Sequence, residues 1–381
     1  MYKRDVAILD IGSMKMTVMV AERGVNGTFK IKGKGEADYG GFQKGEFLEP
    51  DQVKYAIGLA IANAETSYGS KITDLFVGVP GEFSSVICRD TVLNFSRKKK
   101  INDNDIRQLY VSGNIYKKHP THTVINQCPI YFMLDDGRRI IEPRGNASTK
   151  LRGFVSYILA ENNFIDFIDN ILAELMVHNL GFVSSCLAEV MHLFDPSVRD
   201  RYVLLVDCGY ITTSVMLARG DGILFLNSFS LGGGYITGDL AQCLKIPFPE
   251  AESLKHKVVL SWDANETDTY EVLGKDFVSP YSAKVTNQIV EERISQIAEY
   301  INKCIDRCEF EFPEFIPIYL TGGGFNFIRG AKDILARRLG RKVEFVAPNL
   351  PHISRPDFSS EIGLLDIALE IQASNNFLLT R

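Results

Sequence analysis

A carboxylate followed at once by a glycine- and hydroxyl-rich turn lies near the middle of the chain, and this combination can hold a metal-bound phosphate. Asp207 ends the apolar run 203–206, and Gly209, Thr212 and Thr213 belong to the turn that follows. Carboxylate oxygens are ligands for Mg²⁺, and the backbone N–H groups of a tight turn bind anions. Asp207 is therefore a candidate metal-binding and catalytic residue, and the turn is a candidate phosphate site.

The first residues of the chain repeat this arrangement. Asp10 ends the apolar run 6–9 and aligns with Asp207, and Gly12 aligns with Gly209. In both segments a second apolar run returns after the turn, which predicts two antiparallel hairpins. The match suggests two related lobes with a ligand in the cleft between them. The first turn adds three candidate binding residues, Ser13, Met14 and Lys15.

Glycine triplets near the ends of two other predicted elements offer further backbone contacts. A strand predicted at 316–320 runs into Gly322, Gly323 and Gly324, and Phe325 and a helix over 328–339 follow. Glycine lets the backbone approach a flat or anionic ligand closely. The triplet that contains Gly233 and Gly234 closes the sheet of the second lobe, and a helix is predicted from Thr237 onwards.

Three charged residues, Glu189, Glu252 and Lys255, allow both a structural and a functional interpretation. Glu252 and Lys255 are three residues apart and share one helix face, where they form a surface ion pair or grip a ribose or purine. Glu189 ends a short predicted strand, 186–189. It either orients a water near a terminal phosphate or is an exposed structural residue.

Composition limits the class of protein. A chain of 381 residues is too long for one core, so two or more domains are expected. The net charge of −5 argues against nucleic acid as a main partner. The seven cysteines are scattered, which predicts reduced cytosolic thiols and no zinc site. The sequence shows no signal peptide and no apolar run long enough to span a bilayer.

The region 81–163 differs in character from its surroundings and is predicted to be a small α/β unit inserted into the first lobe. It contains the basic run 97–100, which is either a solvated loop or a contact with a neighbouring subunit or an acidic surface. Beyond it, apolar spacing predicts a helix over 164–182.

The order of these motifs resembles the actin and heat-shock-chaperone ATPase superfamily, and within it the FtsA family of bacterial cell division proteins, along nearly the whole chain. The insert carries the more specific part of this resemblance, because kinases and chaperones share the phosphate motifs. The supporting segments are His122-x-Val124-Ile125-x-Gln127, Asp136-Gly137, Ile141-x-Pro143-x-Gly145, Leu151-Arg152, the segment 232–241, Ala251-Glu252-x-x-Lys255 and Arg355-Pro356.

The resemblance implies a two-lobed actin-like α/β fold with duplicated mixed sheets. It implies a lobe one core at 1–80 and 164–200, the insert at 81–163, a lobe two core at 201–240 and 313–381, and a small lobe two subdomain at 241–312. ATP with Mg²⁺ is expected in the cleft. Asp10 and Asp207 would position the metal through water, Lys15 and Thr212 would contact phosphates, and Glu252 and Lys255 the ribose. The glycines 322–324 would flank the adenosine, with further nucleotide contacts from Gly233, Gly234, Asp239 and Phe325.

The same resemblance implies partners and a location. Members of the family polymerise on the membrane, bind the C-terminal tail of the tubulin-like GTPase FtsZ through the small lobe two subdomain, and recruit later division proteins. We therefore expect self-association through the insert, a location in the cytoplasm at the division septum, and no nucleic acid. The alternatives are a nucleotide-hydrolysing or phosphoryl-transfer enzyme of the superfamily, and a pilus-assembly relative.

Two departures from the family pattern modify these expectations. The family's second turn is usually Asp-x-Gly-Gly-Gly-Thr-Thr-Asp, and here Tyr210, Ile211 and Ser214 replace two glycines and the last aspartate. A side chain at a left-handed position costs ~1–2 kcal/mol and would crowd a polyphosphate, so we expect ATP binding with weak or absent turnover. The segment 377–379 is too short for an amphipathic anchor, so we expect membrane attachment to be either indirect, through a partner, or through a C-terminal helix that is missing from the given sequence.

Overall fold

The computed structural model of the protein describes residues 5–24, 28–116, 119–274, 277–350 and 353–374. The first lobe begins with an antiparallel hairpin, as predicted. Its elements are β1 (Asp5–Ile11), β2 (Lys15–Arg23), β3 (Phe29–Asp38), β4 (Phe42–Gln43), β5 (Glu46–Phe47), α1 (Pro50–Tyr68) and β6 (Asp74–Val79). β1 pairs antiparallel with β2 and parallel with β6. The turn of the first hairpin therefore lies at the edge of the sheet where β1 and β6 end.

The insert is a small α/β unit with its own core. Its elements are β7 (Ser84–Lys100), α2 (Asp103–Gly113), β8 (His122–Met133), β9 (Arg139–Ile140) and β10 (Ala147–Glu161), and the sheet order is β7-β10-β8-β9. Asn102 caps α2 by accepting a hydrogen bond from the backbone N–H of Asp105. The basic run 97–100 lies at the end of β7. The interpretation of this run as a loop is therefore wrong.

The chain then returns to lobe one through α3 (Asn162–Glu174), β11 (His178–Ser184), α4 (Ser185–Leu193) and α5 (Pro196–Arg199). The prediction of one helix over 164–182 is wrong, because the chain turns at Met176 with φ 57° and β11 pairs parallel with β6. The strand predicted at 186–189 is a helix, which Ser184 caps by accepting from the N–H of Leu187. Glu189 is consequently a helical residue.

Lobe two repeats the sheet of lobe one. Its elements are β12 (Val203–Cys208), β13 (Thr213–Arg219), β14 (Gly222–Phe229), α6 (Gly233–Leu244), α7 (Phe248–Lys255), β15 (Thr269–Leu273), β16 (Val278–Ser282), α8 (Ala283–Asp306), β17 (Ile318–Thr321), α9 (Ala331–Leu339), β18 (Val343–Phe345) and α10 (Ser359–Ser374). The order β14-β13-β12-β17-β18 matches β3-β2-β1-β6-β11 of lobe one. The predicted duplication is confirmed.

The last helix crosses from lobe two to lobe one. The apolar residues of α10, among them Ile362, Leu365 and Ala368, are buried in the core that β1, β2, β6 and α4 form. The sequence-based boundary, which assigned 313–381 to lobe two, thus separates α10 from the core in which it packs. No helix in the described ranges is long and apolar enough to cross a bilayer. The segment 377–379 lies outside the described residues.

Gly35 on β3 shows how closely the helices pack on these sheets. A Cβ atom at Gly35 would lie less than 3.0 Å from the backbone of Ala60 and Ala64 in α1. We expect Gly35→Ala to lower the free energy of unfolding by about 1–3 kcal/mol, because backbone must shift to admit the methyl group. Urea unfolding measures this. Gly238→Ala is the control, since its Cβ would meet nothing within 4 Å. Equal stabilities of the two variants would contradict the proposed packing.

Candidate functional site

The turns of the two hairpins face each other across the cleft between the lobes. Each turn is closed in the same way: the N–H of Gly12 donates to the carbonyl of Lys15 at 2.9 Å, and the N–H of Gly209 donates to the carbonyl of Thr212 at 2.8 Å. The Ser13 hydroxyl accepts a hydrogen bond from the backbone N–H of Ile211 at 3.0 Å. The two turns therefore touch, and the strands behind them carry Asp10 and Asp207 into one cleft.

A cavity of about 320 Å³ lies at this meeting point. Most of the residues predicted from the sequence line it, namely Asp10, Gly12, Ser13, Met14, Lys15, Glu189, Asp207, Gly209, Thr212, Glu252, Lys255, Gly322 and Gly323. The volume is within the range of small-molecule sites, and the lining combines polar groups with exposed backbone. The cavity could admit a polyphosphate chain between the turns and a flat ring beside the glycines.

Three buried carboxylates converge on this cavity. Burial raises the pKa of Asp10 to about 6, although the Ser360 hydroxyl donates to its Oδ1 at 2.7 Å and opposes the shift. Burial also raises the pKa of Asp207 to about 6. Burial and the charges of Asp207 and Asp10 raise the pKa of Glu189 well above its usual range. In the described part of the chain, neither aspartate forms a salt bridge, so the cleft favours a cation.

The donor set fits a metal that is bound mainly through water and phosphate. Among the described residues, no group of three or more His, Cys, Asp or Glu side chains is arranged to hold a metal ion alone. Mg²⁺ typically keeps several waters and uses one or two carboxylates together with substrate phosphates. Asp10 and Asp207 are two such carboxylates at the turns where phosphates would lie. They fit Mg²⁺ better than a metal that needs an all-protein cage.

Glu252 and Lys255 form a largely buried pair and not the surface ion pair that the sequence allowed. The ammonium of Lys255 is 2.7 Å from Glu252 and 3.0 Å from the Thr237 hydroxyl. Burial lowers the pKa of Lys255. Burial alone would raise the pKa of Glu252, but the charge of Lys255 and the hydrogen bonds from Lys255 and Thr237 together lower it. The Tyr210 hydroxyl donates to Glu252 at 3.2 Å. This group forms one wall of the cavity in lobe two.

The glycines beside Asp207 allow close approaches between loops. Gly322 has φ 86°, and a Cβ there would collide with the Asp207 carboxylate. The N–H of Gly324 donates to the carbonyl of Cys208 at 2.7 Å, and a Cβ at Gly233 would lie 2.5 Å from the carbonyl oxygen of Gly324. Gly233, Gly234 and Gly324 hold the loops together behind the cavity and do not line it.

Tyr210 and Ile211 fit their turn without the backbone strain that the lost glycines suggested. The non-glycine residues with positive φ in the described ranges are Lys44, Met176 and Lys245. The ring of Tyr210 packs so closely on Gly234 that a Cβ there would lie 2.6 Å from it. The expected penalty for a left-handed side chain does not arise, and the Tyr210 ring instead fills space at the edge of the cavity.

Besides Gly233, Gly234 and Gly324, three further predicted residues lie outside the cavity. The Thr213 hydroxyl donates to the carbonyl of Leu231 at 2.7 Å inside the lobe. Asp239 accepts from Arg293 at 2.7 Å in a separate depression. Phe325 is only 1% exposed and belongs to the core of lobe two. These side chains do not reach a ligand in the cavity, because each is held by neighbours within lobe two.

The structure adds site residues that sequence spacing did not reveal. Ser360 and Glu361 enter from the start of α10, and Ser185 lies one helical turn before Glu189 on α4. The rings of Phe327 and His256 contact each other at the lobe two end of the cavity, with 4.4 Å between their centroids and an angle of 31° between their planes. No local pattern connects Ser360 with Asp10, since 350 residues separate them.

Comparison with known proteins identifies relatives of the chain. The family model described as "Cell division protein FtsA" matches residues 204–363. The FtsA of Enterococcus faecalis is 25% identical over 371 residues, which cover 95% of this chain and 83% of that protein. The FtsA of Streptococcus pneumoniae is 26% identical and covers 96% of this chain and 80% of its own length. The chain is similar to FtsA along nearly its whole length. The resemblance extends through the insert, as the sequence motifs predicted.

Solved structures confirm the actin-like fold that this relationship with FtsA implies. The PilM–PilN type IV pilus biogenesis complex matches with a TM-score of 0.63 and 17% identity, over 96% of this chain and 98% of that chain. MreB5 of Spiroplasma citri, in a structure bound to ADP, matches with a TM-score of 0.59 and 9% identity, over 99% of this chain and 100% of its own. At these identities the likeness concerns the fold alone.

The buried carboxylates predict an unusual dependence of stability on pH. An aspartate whose folded pKa is raised from 3.8 to about 6 stabilises the fold below pH 4, and this contribution is lost as pH rises through 6. We expect Asp207→Asn to raise the free energy of unfolding of the ligand-free protein by about 3 kcal/mol at pH 7 and to change little at pH 4. Urea titrations across this range measure the difference.

Asp239→Asn is the matched control for this experiment. Asp239 is paired with Arg293, so its replacement should lower stability at pH 7. A destabilised Asp207→Asn protein at pH 7 would show that Asp207 is favourably solvated or paired, contrary to the geometry described above.

Proposed function

We propose that the chain is an FtsA-like cell division adaptor that binds ATP with Mg²⁺ in the cleft between its lobes. The observation that carries this proposal is the pair of facing turns around the buried Asp10 and Asp207, in a chain related to FtsA through the insert as well as the lobes. Two buried carboxylates without cationic partners are unfavourable, and a metal–nucleotide complex would compensate both. The cleft is therefore suited to bind a metal–nucleotide complex.

In this proposal different residues of the cavity lining contact the metal, the phosphates, the ribose and the adenosine. Asp10 and Asp207 hold Mg²⁺ through water, Lys15 and Thr212 contact phosphates, and Glu252 with Lys255 contact the ribose. Gly322 and Gly323 flank the adenosine. Lys15 donates to Glu36 at 2.9 Å in a pair that is more than one third exposed. Exposed pairs contribute little stability, so Lys15 can exchange Glu36 for a phosphate at small cost.

The cellular role in this proposal follows from the named relatives. We infer that the chain associates with itself through the insert and binds the C-terminal tail of FtsZ through residues 241–312. From there it recruits later division proteins at the septum, peripheral to the inner face of the membrane. The insert is the feature that favours this role over phosphoryl transfer. The fold similarity to PilM keeps a pilus-assembly role as the second candidate.

Nucleotide binding is tested by thermal-shift titration of the full chain with ATP and Mg²⁺. Ligand at ~1,000 times its dissociation constant should stabilise the protein by about 4 kcal/mol and raise the unfolding midpoint. We expect Asp207→Ala to abolish the shift, because the metal loses one of its two carboxylates.

Asp239→Ala serves as the control for this titration, since Asp239 lies outside the cavity and its variant should keep the shift. An Asp207→Ala protein that retains wild-type affinity would refute the metal assignment. A wild-type protein without a shift would refute nucleotide binding itself.

The partner is tested by fluorescence anisotropy with a labelled peptide of the FtsZ C-terminal tail. Leu273 is 74% exposed at the end of β15 in the small subdomain and pairs with Val278, which is 53% exposed; adjoining exposed apolar residues mark protein interaction sites. We expect binding that Leu273→Ser weakens severalfold. Met176→Ser is the matched control, because Met176 is 88% exposed on lobe one. A peptide that does not bind wild type would favour the pilus-assembly role.

A further inference from the structure

The short hairpin that β4 and β5 form, residues 42–47, extends from lobe one across the cleft to lobe two. Its two turn residues, Lys44 and Gly45, both have positive φ, 52° and 74°. Positive φ at both central positions is typical of the tight two-residue hairpin turn. A lysine in this left-handed conformation is unfavourable, so the contacts of the turn must compensate for it.

The backbone of this turn is bonded to both lobes. The N–H of Lys44 donates to Ser230 Oγ in lobe two at 2.9 Å, and the Ser230 hydroxyl donates to Glu82 Oε1 at 2.6 Å. The N–H of Gly45 donates to the other carboxylate oxygen of Glu82 at 3.3 Å. Glu82 lies just before β7 on the lobe one side of the cleft. The Ser230 hydroxyl of lobe two is therefore held between two groups of the opposite side.

A second contact joins the hairpin 42–47 to the start of α6. The side-chain amide of Gln43 donates a hydrogen bond to the Tyr235 hydroxyl in the first turn of that helix. Ser230 and Tyr235 are five residues apart in the chain and flank the loop 231–234. The hairpin thus contacts lobe two on both sides of this loop.

The loop 231–234 supports the turn that follows Asp207. The N–H of Gly233 donates to the carbonyl of Gly209 at 2.9 Å, and the N–H of Gly234 donates to the carbonyl of Tyr210 at 2.7 Å. The hairpin 42–47 therefore holds lobe two directly behind one of the two turns that border the candidate nucleotide cavity.

The base of the hairpin is fixed in lobe one by aromatic packing. Phe42 is 1% exposed, and its ring centroid lies 5.1 Å from that of Phe83. The ring of Phe47 lies 5.4 Å from Phe83 and also contacts Phe164 and Phe167. Because the hairpin is anchored in this way, it moves with lobe one. Separation of the lobes must then break its bonds to lobe two.

The hairpin contacts lobe two at the sheet edge opposite the hinge. Asp207 pairs with Ser214, and Ser214 pairs with Ser228, so β14 ends at the same edge of the sheet as Asp207. The hinge between α5 and β12 joins the sheet at the other edge, where β12 begins. Contacts far from a hinge oppose its opening most effectively, so a few hydrogen bonds at this edge can bias the position of the lobes.

These contacts are also easily released. A cavity of about 650 Å³ adjoins the hairpin, and Lys44, Gly45, Glu82 and Ser230 line it. Water that enters this cavity can replace the hydrogen bonds of the protein, so each bond makes only a small net contribution. A set of bonds of this kind stabilises the closed arrangement of the lobes without locking it.

We propose that the hairpin 42–47 is a latch between the lobes, which holds the cleft closed and sets the rate at which nucleotide enters and leaves. The statement about nucleotide rests on the proposed function, whereas the latch itself is a property of the protein alone. Opening separates Lys44 from Ser230 and Gln43 from Tyr235. A weaker latch raises the population of open molecules, because it stabilises the closed state only.

The latch is tested first by amide hydrogen exchange of the full chain without nucleotide, measured residue by residue. The N–H of Ile211 is bonded to Ser13 across the cleft and reports lobe separation, whereas the N–H of Gly209 is bonded within its own turn and is the internal reference. We expect Ser230→Ala to speed the exchange of Ile211 on the order of fivefold, the effect of one hydrogen bond on the opening equilibrium, and to leave Gly209 unchanged.

Two further variants accompany this experiment. Tyr235→Phe removes the second contact and should speed the exchange of Ile211 by a similar factor, and the double variant should exceed either single variant. Ser295→Ala is the matched control, because the Ser295 hydroxyl donates to the carbonyl of Glu291 within α8. This variant should match wild type at both amides.

The link to nucleotide is tested by stopped-flow measurement of a fluorescent ATP analogue with Mg²⁺. Ser230, Tyr235 and the hairpin residues that they contact do not line the candidate nucleotide cavity. We therefore expect Ser230→Ala and Tyr235→Phe to raise the association and dissociation rates by the same factor, on the order of fivefold, with unchanged affinity. A substitution that only damaged the fold would weaken affinity as well.

Unchanged exchange of Ile211 in both variants would refute the latch. Faster exchange of Ile211 with unchanged association and dissociation rates would refute its control of nucleotide exchange and leave the proposed function intact. A wild-type protein that does not bind the analogue would refute the proposed function, while the amide exchange still decides whether the hairpin 42–47 holds the lobes together.

Discussion

The repulsion between buried carboxylates in the cleft is the constraint on which the rest of the structure depends. Asp10 and Asp207 come from different lobes, and Glu189 adds a third acid from α4, yet none of them has a lysine or arginine at salt-bridge distance in the described ranges. Burial of unpaired charge is unfavourable, so the fold must hold these groups by packing. Gly322 and Gly363 allow this packing. A Cβ at Gly322 would collide with the Asp207 carboxylate, and a Cβ at Gly363 would collide with the backbone of α4.

The lobes are joined by more than the hinge between α5 and β12. The insert belongs to lobe one in sequence, but Ile130 is buried in the core of lobe two, and the N–H of Asp221 donates to the carbonyl of Pro129 at 3.0 Å. In the opposite direction, α10 leaves lobe two and packs in lobe one. These two crossings limit how the lobes can move apart. A ligand that draws Asp10 and Asp207 together would therefore act on the insert and on α10 at the same time.

The sequence was sufficient for the hairpins, the duplication and most of the cavity lining, since all three follow from local patterns. An apolar run that ends in Asp-x-Gly predicts a strand, a turn and a carboxylate at its end, wherever the run lies. The sequence was insufficient where contacts between distant segments decide the secondary structure. β11 continues the apolar spacing of α3, and only its pairing with β6 makes it a strand. Ser360 could not be found, because its role depends on α10 crossing to the other lobe.

The replaced glycines in the second turn show how a binding site tolerates bulk. Tyr210 has an ordinary backbone conformation, its ring covers Gly234, and its hydroxyl donates to Glu252. Where the family has glycine, this chain therefore has a tyrosine whose ring is held by Gly234 and whose hydroxyl is held by Glu252. The backbone N–H of Ile211 is not free for a ligand, because it donates a hydrogen bond to the Ser13 hydroxyl across the cleft. A phosphate entering between the turns must replace this bond. The Ser13 hydroxyl therefore competes with a phosphate for the N–H of Ile211, so the contact that joins the two turns also limits the donors that the second turn offers to a ligand.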